Sequence, residues 1–257
     1  MGGKPLLKYS AAKTNVVFDG NSIVAGANAS SSAHYINAEV RLLAPINSQF
    51  TCPNLGVGGQ TINNMRGLSE VNLGAPNPGG GDVPSSSTAD IDGAWVSGKT
   101  NVMVLWEATN SIYGAGWTGL QAAAQMASLI AERQATHPWK YLIVTTLPRW
   151  AEPYGRTNVQ ANNELRAFDA YVKANYKAMG AHAVADVRTG ASAFNIPTAS
   201  LTDFETPELW GTNGVGGMWS LSDNTNNADT TKHTHLQDAG FQYIARYIAA
   251  ALGRIPA

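Results

Sequence analysis

The feature that most constrains this chain is an alternation of short β-branched runs with longer segments of helical spacing. Apolar runs of strand length stand at 15–19, 100–106, 140–147 and 182–187. A fifth candidate strand covers 49–55, weakened by Pro53, which has no N–H to give a ladder. Between these runs, 33–43 repeats Ile36, Val40 and Leu43 at helical spacing, and the alanine-rich 120–136 stops before Pro138. The segment 159–179 sets Leu165, Phe168, Tyr171 and Val172 on one side, with Gly180 suited to the position after the helix. A closing helix over 237–252 turns Phe241, Ile244 and Ile248 inward. Near-continuous apolar strands alternating with helices predict a parallel sheet covered on both faces. The expected fold class is therefore α/β, a three-layer α/β/α sandwich around a five-stranded parallel sheet.

A length of 257 residues suits one large domain spanning 1–257. Two segments resist assignment. One is the Pro/Gly/Ser-rich 74–92; the other is 196–231, which contains Trp210 and Trp219. Structureless loops of that length are usually functional or disordered, and the tryptophans favour an ordered, binding-type insertion. Charge narrows the partners. Only 14% of residues are charged, and 17 basic against 18 acidic give a net charge of −1. Binding held mainly by phosphate backbones or anionic lipid demands a basic excess, so neither nucleic acid nor a membrane surface is expected. No stretch approaches the roughly 20 apolar residues of a membrane helix, and the first residues lack the apolar core of a signal peptide. The expectation is a soluble protein, secreted or virion-associated. The lone Cys52 excludes an intrachain disulfide and a cysteine-rich zinc site.

Ligands of open parallel sheets bind beyond the carboxyl ends of the strands, so the residues following each strand carry the most weight. Asp19-Gly20-Asn21-Ser22-Ile23 follows the first strand and can lift a serine hydroxyl above the sheet edge. Asn54-Leu55-Gly56-Val57-Gly58-Gly59-Gln60-Thr61 follows the second, with glycines that let backbone N–H groups face a ligand. Glu107-Ala108-Thr109-Asn110-Ser111 follows the third and brings a side-chain amide to the same edge. His233-Thr234-His235 precedes the last helix, with Leu236, Asp238, Ala239 and Gly240 after it.

Together these blocks resemble the SGNH hydrolases, or GDSL-type esterases and lipases, over almost the whole chain. Gly20-Asn21-Ser22-Ile23 is similar to the family's nucleophile block, with Asn21 where aspartate is more common. Asn54-x-Gly56-x-x-Gly59 resembles the second block, Ala108-Thr109-Asn110 the Gly-x-Asn block, and His235-Leu236-x-x-Ala239-Gly240 the last. Each block alone is weak; four in the family's order are strong. The resemblance implies a flavodoxin-like sheet, Ser22 as nucleophile and His235 as its base. It also implies an oxyanion hole from the Ser22 and Gly59 N–H groups and the Asn110 amide, with no cofactor and no metal. The chemistry fits those types, because a serine hydroxyl needs an adjacent base and a developing oxyanion needs donors already in place.

The departure is at the third triad member. The family carries aspartate three residues before the histidine, where Lys232 stands here. Asp229 is the favoured replacement; Asp238, a backbone carbonyl or a Ser–His dyad are the alternatives, and His233 competes with His235 as base. Glu107, after a buried strand, is expected to hydrogen-bond structurally. His34, His137 and His182 match no block and read as surface or core-edge residues. The implied function is an acyl-enzyme serine esterase. The polar loops, with Trp210, Trp219 and Arg149 as candidate substrate contacts, favour a carbohydrate O-acetyl ester as substrate. The rivals are a lipase or thioesterase of the same family, and an inactive glycan-binding module of a viral tail or cell-surface assembly, to which Lys232 and Ala108 lend weight.

Overall fold

A computed structural model describes residues 14–43, 51–68, 88–147, 149, 155–188, 235–236 and 238–255. Four strands form one parallel sheet: β1 (Thr14–Gly20), β2 (Thr100–Trp106), β3 (Lys140–Val144) and β4 (Ala183–Ala185), hydrogen-bonded in that order. β1 and β2 run in full register from Thr14 opposite Thr100 to Gly20 opposite Trp106. The helices in chain order are α1 (Ile36–Leu43), α2 (Ile62–Met65), α3 (Thr88–Gly93), α4 (Thr109–Tyr113), α5 (Gly119–Thr136), α6 (Asn158–Asn175) and α7 (Asp238–Leu252).

Among the described residues the sheet has four strands, where the sequence suggests five. The segment beginning at Thr51 lies beside β1 but joins it by two isolated parallel bridges, Asn15 with Thr51 and Phe18 with Asn54. Val16 and Phe18 donate to the carbonyls of Thr51 and Pro53, and Leu55 donates back to Phe18. The donor that would continue the ladder belongs to residue 53, and proline has none. Counted second, this segment gives the order 2-1-3-4-5, the flavodoxin-like arrangement.

The two faces of the sheet bury separate cores, which is what makes three layers. Val16, Phe18, Val102, Val104, Leu142 and Val144 pack with Ile36 and Val40 of α1 and with Phe241, Ile244 and Ile248 of α7. The alternate residues Val17, Met103, Leu105, Tyr141 and Ile143 pack with α5 and α6 through Met126, Leu129, Leu165 and Phe168. This is the period-two alternation of a strand buried on both sides. Helix starts are written locally as Thr-x-x-Gln. Thr118 and Thr157 each accept from the backbone three residues on, and Gln121 and Gln160 reach back to the cap N–H. α6 is followed by turns that end at Gly180, whose φ of +86° favours glycine. The tail of the segment expected to be irregular, 74–92, is helical from Thr88 as α3; its remainder and 196–231 lie outside the described residues.

Two glycines set how closely the site's loops approach the sheet. A Cβ on Gly20 would stand 2.2 Å from the Trp106 carbonyl oxygen, and one on Gly56 would stand 2.5 Å from the Ala25 nitrogen. Any side chain at either position would therefore push the loop after β1 away from its neighbours.

Candidate active site

The chain leaves β1 at Gly20 and turns at once, with the Ala25 N–H donating to the Asn21 carbonyl and that of Ala27 to the Ser22 carbonyl. This turn places Ser22, half-buried, at the carboxyl edge of the sheet. Gln60 helps to hold it, its amide donating to the Asp19 carboxylate at 3.0 Å and to the Gly20 carbonyl. His235 stands just before α7, which packs against the sheet through Phe241 and Ile244. The two ends of the chain meet here: Ser22 Oγ lies 2.7 Å from His235 Nε2, within reach for direct proton transfer between hydroxyl and imidazole.

The glycine loop arrives alongside. Val57 N–H donates to the Gly20 carbonyl at 3.0 Å, and a Cβ on Gly58 would lie 4.0 Å from that of Ser22. Gly59 has φ +80°, a left-handed conformation that favours glycine. Among the described residues, no backbone carbonyl engages the N–H of Ser22 or of Gly59. Asn110 lies in the first turn of α4, and its Nδ2 donates to the Gln60 carbonyl at 3.0 Å, which uses one of its two amide hydrogens. Arg149 fixes which way that amide faces, donating from Nη1 to Asn110 Oδ1 at 3.1 Å. The Arg149 guanidinium lies over the Tyr113 ring, 5.1 Å from its centre, and the Arg149 carbonyl accepts from Tyr113 Oη and Asn162 Nδ2. The structure thus brings Ser22, His235, Gly59, Asn110 and Arg149 to one edge. Asp229, Lys232, His233, Trp210 and Trp219 lie outside the described residues.

Asp238 is turned to other work. Its carboxylate accepts from the Ser30 N–H at 2.9 Å and from the Ser30 hydroxyl at 2.5 Å, and it lies 3.7 Å from His34 Nε2. Burial opposes ionisation, but the two Ser30 bonds and His34 outweigh it and hold the carboxyl below its ordinary range. On the other ring nitrogen of His235, the Asn28 amide approaches Nδ1 at 3.5 Å, long for a strong bond. His34 bonds Glu39 at 2.7 Å, His137 stacks on Trp95, and His182 accepts from the Tyr141 N–H. All three are partly or fully exposed, the surface or core-edge placement expected of histidines outside the blocks. Among the described residues, no cluster of three or more histidine, cysteine, aspartate or glutamate side chains could hold a metal, and no helix is long and apolar enough to cross a membrane.

Ala108, which stands where the family pattern has glycine, is buried with φ −165°. That φ lies outside the left-handed region that favours glycine. Behind it lies a network larger than the sequence announced. Glu107, 1% exposed, receives bonds from Asn21 and Ser111, and burial still pushes its carboxyl up to about 7. The sequence signal was a lone acid closing an apolar strand; its partner Asn21 is 86 positions away.

No family model and no curated protein sequence matches the chain. Solved structures do. A lipolytic protein of the G-D-S-L family from Veillonella parvula superposes with a TM-score of 0.59 at 14% identity, over 94% of this chain and 100% of that one. A carbohydrate acetylesterase family member from Sinorhizobium meliloti gives 0.56 at 10% identity, over 93% and 97%. An acetyl-xylooligosaccharide esterase from Geobacillus gives 0.54 at 12% identity, over 93% and 94%. The chain has the fold of the lipolytic G-D-S-L proteins, whose sequence blocks it also resembles.

Proposed function

We propose that the chain is a serine ester hydrolase of the SGNH type, acting through an acyl-enzyme. The observation that carries this reading is the 2.7 Å approach of Ser22 Oγ to His235 Nε2 at the carboxyl edge of the sheet. In the proposed cycle, Ser22 attacks the ester carbonyl as His235 takes its proton. The developing oxyanion is received by the N–H groups of Ser22 and Gly59 and by the second amide hydrogen of Asn110. His235 then protonates the leaving alcohol, and water attacks the acyl-enzyme by the same route in reverse. Asp229 is assigned to orient the imidazole, because Asp238, its rival, is bound to Ser30 and His34.

For substrate we propose a carbohydrate O-acetyl ester. The support is the asparagine- and threonine-rich composition of 196–231 and the esterases of acetylated sugars among the structural neighbours. Arg149, beside Asn110, and the tryptophans Trp210 and Trp219 are assigned to contact that substrate. The test is hydrolysis of p-nitrophenyl acetate and of an acetylated polysaccharide by the wild type and by Ser22→Ala. Release of acetate from both substrates by the wild type, and its loss in the variant, is the expected result. Undiminished hydrolysis by Ser22→Ala refutes the nucleophile.

A further inference from the structure

One buried carboxylate joins the turn that carries Ser22 to the turn that carries Asn110. Glu107 Oε2 accepts from Asn21 Nδ2 at 2.5 Å. Its Oε1 accepts from the Ser111 N–H at 2.9 Å and from the Ser111 hydroxyl at 3.2 Å. Both ends of this relay continue into the backbone. Asn21 Oδ1 accepts from the Ile23 N–H at 2.9 Å, which closes the nucleophile turn around Ser22. The Ser111 hydroxyl accepts from the Ile62 N–H at 3.1 Å, just after Gly59, Gln60 and Thr61. All three loops proposed to supply oxyanion donors are therefore linked through Glu107, the Gly59 loop by way of the Ser111 hydroxyl.

We infer that Glu107 is a positioning residue that locks the Ser22, Gly59 and Asn110 loops into one register, with Asn21 as its required partner. The consequence for turnover rests on the serine hydrolase reading; the lock itself does not. The direction of the hydrogen bonds requires this pairing. The Ile23 N–H gives to Asn21, whose amide gives to Glu107, and above about pH 7, where Glu107 is ionised, the carboxylate can only accept. An aspartate at 21 would face the Glu107 carboxylate acceptor to acceptor, which accounts for asparagine at this position. Glu107→Gln fails in the opposite sense. The new amide presents a donor to Asn21 Nδ2 or, if turned, to the Ser111 N–H. Turning Asn21 instead sets its own donors against the Ile23 N–H, so every rotamer leaves one buried mismatch. The combined change Asn21→Asp with Glu107→Gln reverses the central bond and satisfies every group. The aspartate accepts from Ile23 and from the introduced amide, whose oxygen accepts from Ser111. Both substitutions are isosteric and the pair keeps one carboxylate, so volume and charge are held constant.

The experiment compares wild type, the two single variants and the double variant at about pH 8.5, where Glu107 is ionised, in two readouts. The first is amide hydrogen exchange at Ile23 and Ser111, which needs no reaction. Exchange at both positions is expected to rise about tenfold or more in each single variant and to return close to wild type in the double. The second is the steady-state split: kcat falls about 10- to 100-fold in the singles with KM little changed, and the double recovers most of it. Unchanged exchange in Glu107→Gln, or a double variant no better than the singles, overturns the lock. Singles that lose thermal stability while kcat holds reduce Glu107 to a structural role and overturn the positioning claim. A wild type with the expected exchange pattern and no turnover sustains the lock and refutes the hydrolase reading instead.

Discussion

The buried Glu107 makes stability depend on pH in a direction opposite to that of most carboxylates. Its carboxyl is pushed up to about 7 by burial, which outweighs the Ser111 and Asn21 bonds that favour ionisation, against an ordinary value of 4.5. Below about pH 4.5 the group is protonated in both folded and unfolded chains. Between there and pH 7 only the unfolded chain has lost the proton, so unfolding releases one and stability falls as pH rises. Above pH 7 both forms are ionised and the loss is complete. At roughly 1.4 kcal/mol for each pH unit, the gap from 4.5 to about 7 amounts to on the order of 3 kcal/mol. For a chain of this size that is roughly 6–12 °C in Tm. The assay is thermal unfolding of wild type and Glu107→Gln at half-unit steps from pH 4.5 to 8. Shifted groups elsewhere, such as His34, Asp169 and Asp238, titrate in both proteins and cancel in the difference. The wild-type advantage over Glu107→Gln should shrink by that amount as pH rises and level off above pH 7. Parallel curves would show that Glu107 does not hold a proton in this window, and the reasoning from burial would be wrong.

Two further outcomes follow from the site. Asn110→Ala removes one proposed oxyanion donor and should lower kcat by about 10²–10³-fold with KM little changed, read by steady-state kinetics on p-nitrophenyl acetate; a change confined to KM would move Asn110 from oxyanion stabilisation to substrate binding. Asp229→Asn should depress turnover strongly, whereas Asp238→Asn should spare the chemistry and loosen the Ser30 turn, and the reverse ranking in kcat would assign the triad acid to Asp238.

The layers of this fold were legible because each strand and helix announces itself locally. β2 is bounded in sequence as it is in structure, since Val102, Val104 and Leu105 are flanked by polar and turn residues. α5 and α6 begin at Gly119 and Asn158, within one residue of the starts that helical spacing predicts. The segment beginning at Thr51 falls short of a strand for a reason its sequence carries, since Pro53 lacks the N–H that would continue the ladder. α2, α3 and α4 are too short to display a helical period, and α4 owes its place to the turn that presents Asn110. At the site, the blocks pointed to Ser22, Gly59, Asn110 and His235 because each follows or precedes an element of known direction. The Asn21–Glu107 and Ser30–Asp238 bonds could not be read that way. They join residues 86 and 208 positions apart, and a single sequence records no such pairing. Ala108 shows the converse: it looks like a defect in a glycine motif, yet its φ of −165° is not the left-handed backbone that favours glycine.

The central claim is that Ser22 is a nucleophile activated by His235. Covalent labelling by a fluorophosphonate, with the modified peptide mapped by mass spectrometry, tests it most directly, since the reagent reports an activated serine without any assumption about the ester. The account predicts stoichiometric label on Ser22, abolished by Ser22→Ala and slowed at least about 10³-fold by His235→Ala. Wild-type protein that takes up no label, or label that persists undiminished in His235→Ala, would contradict it.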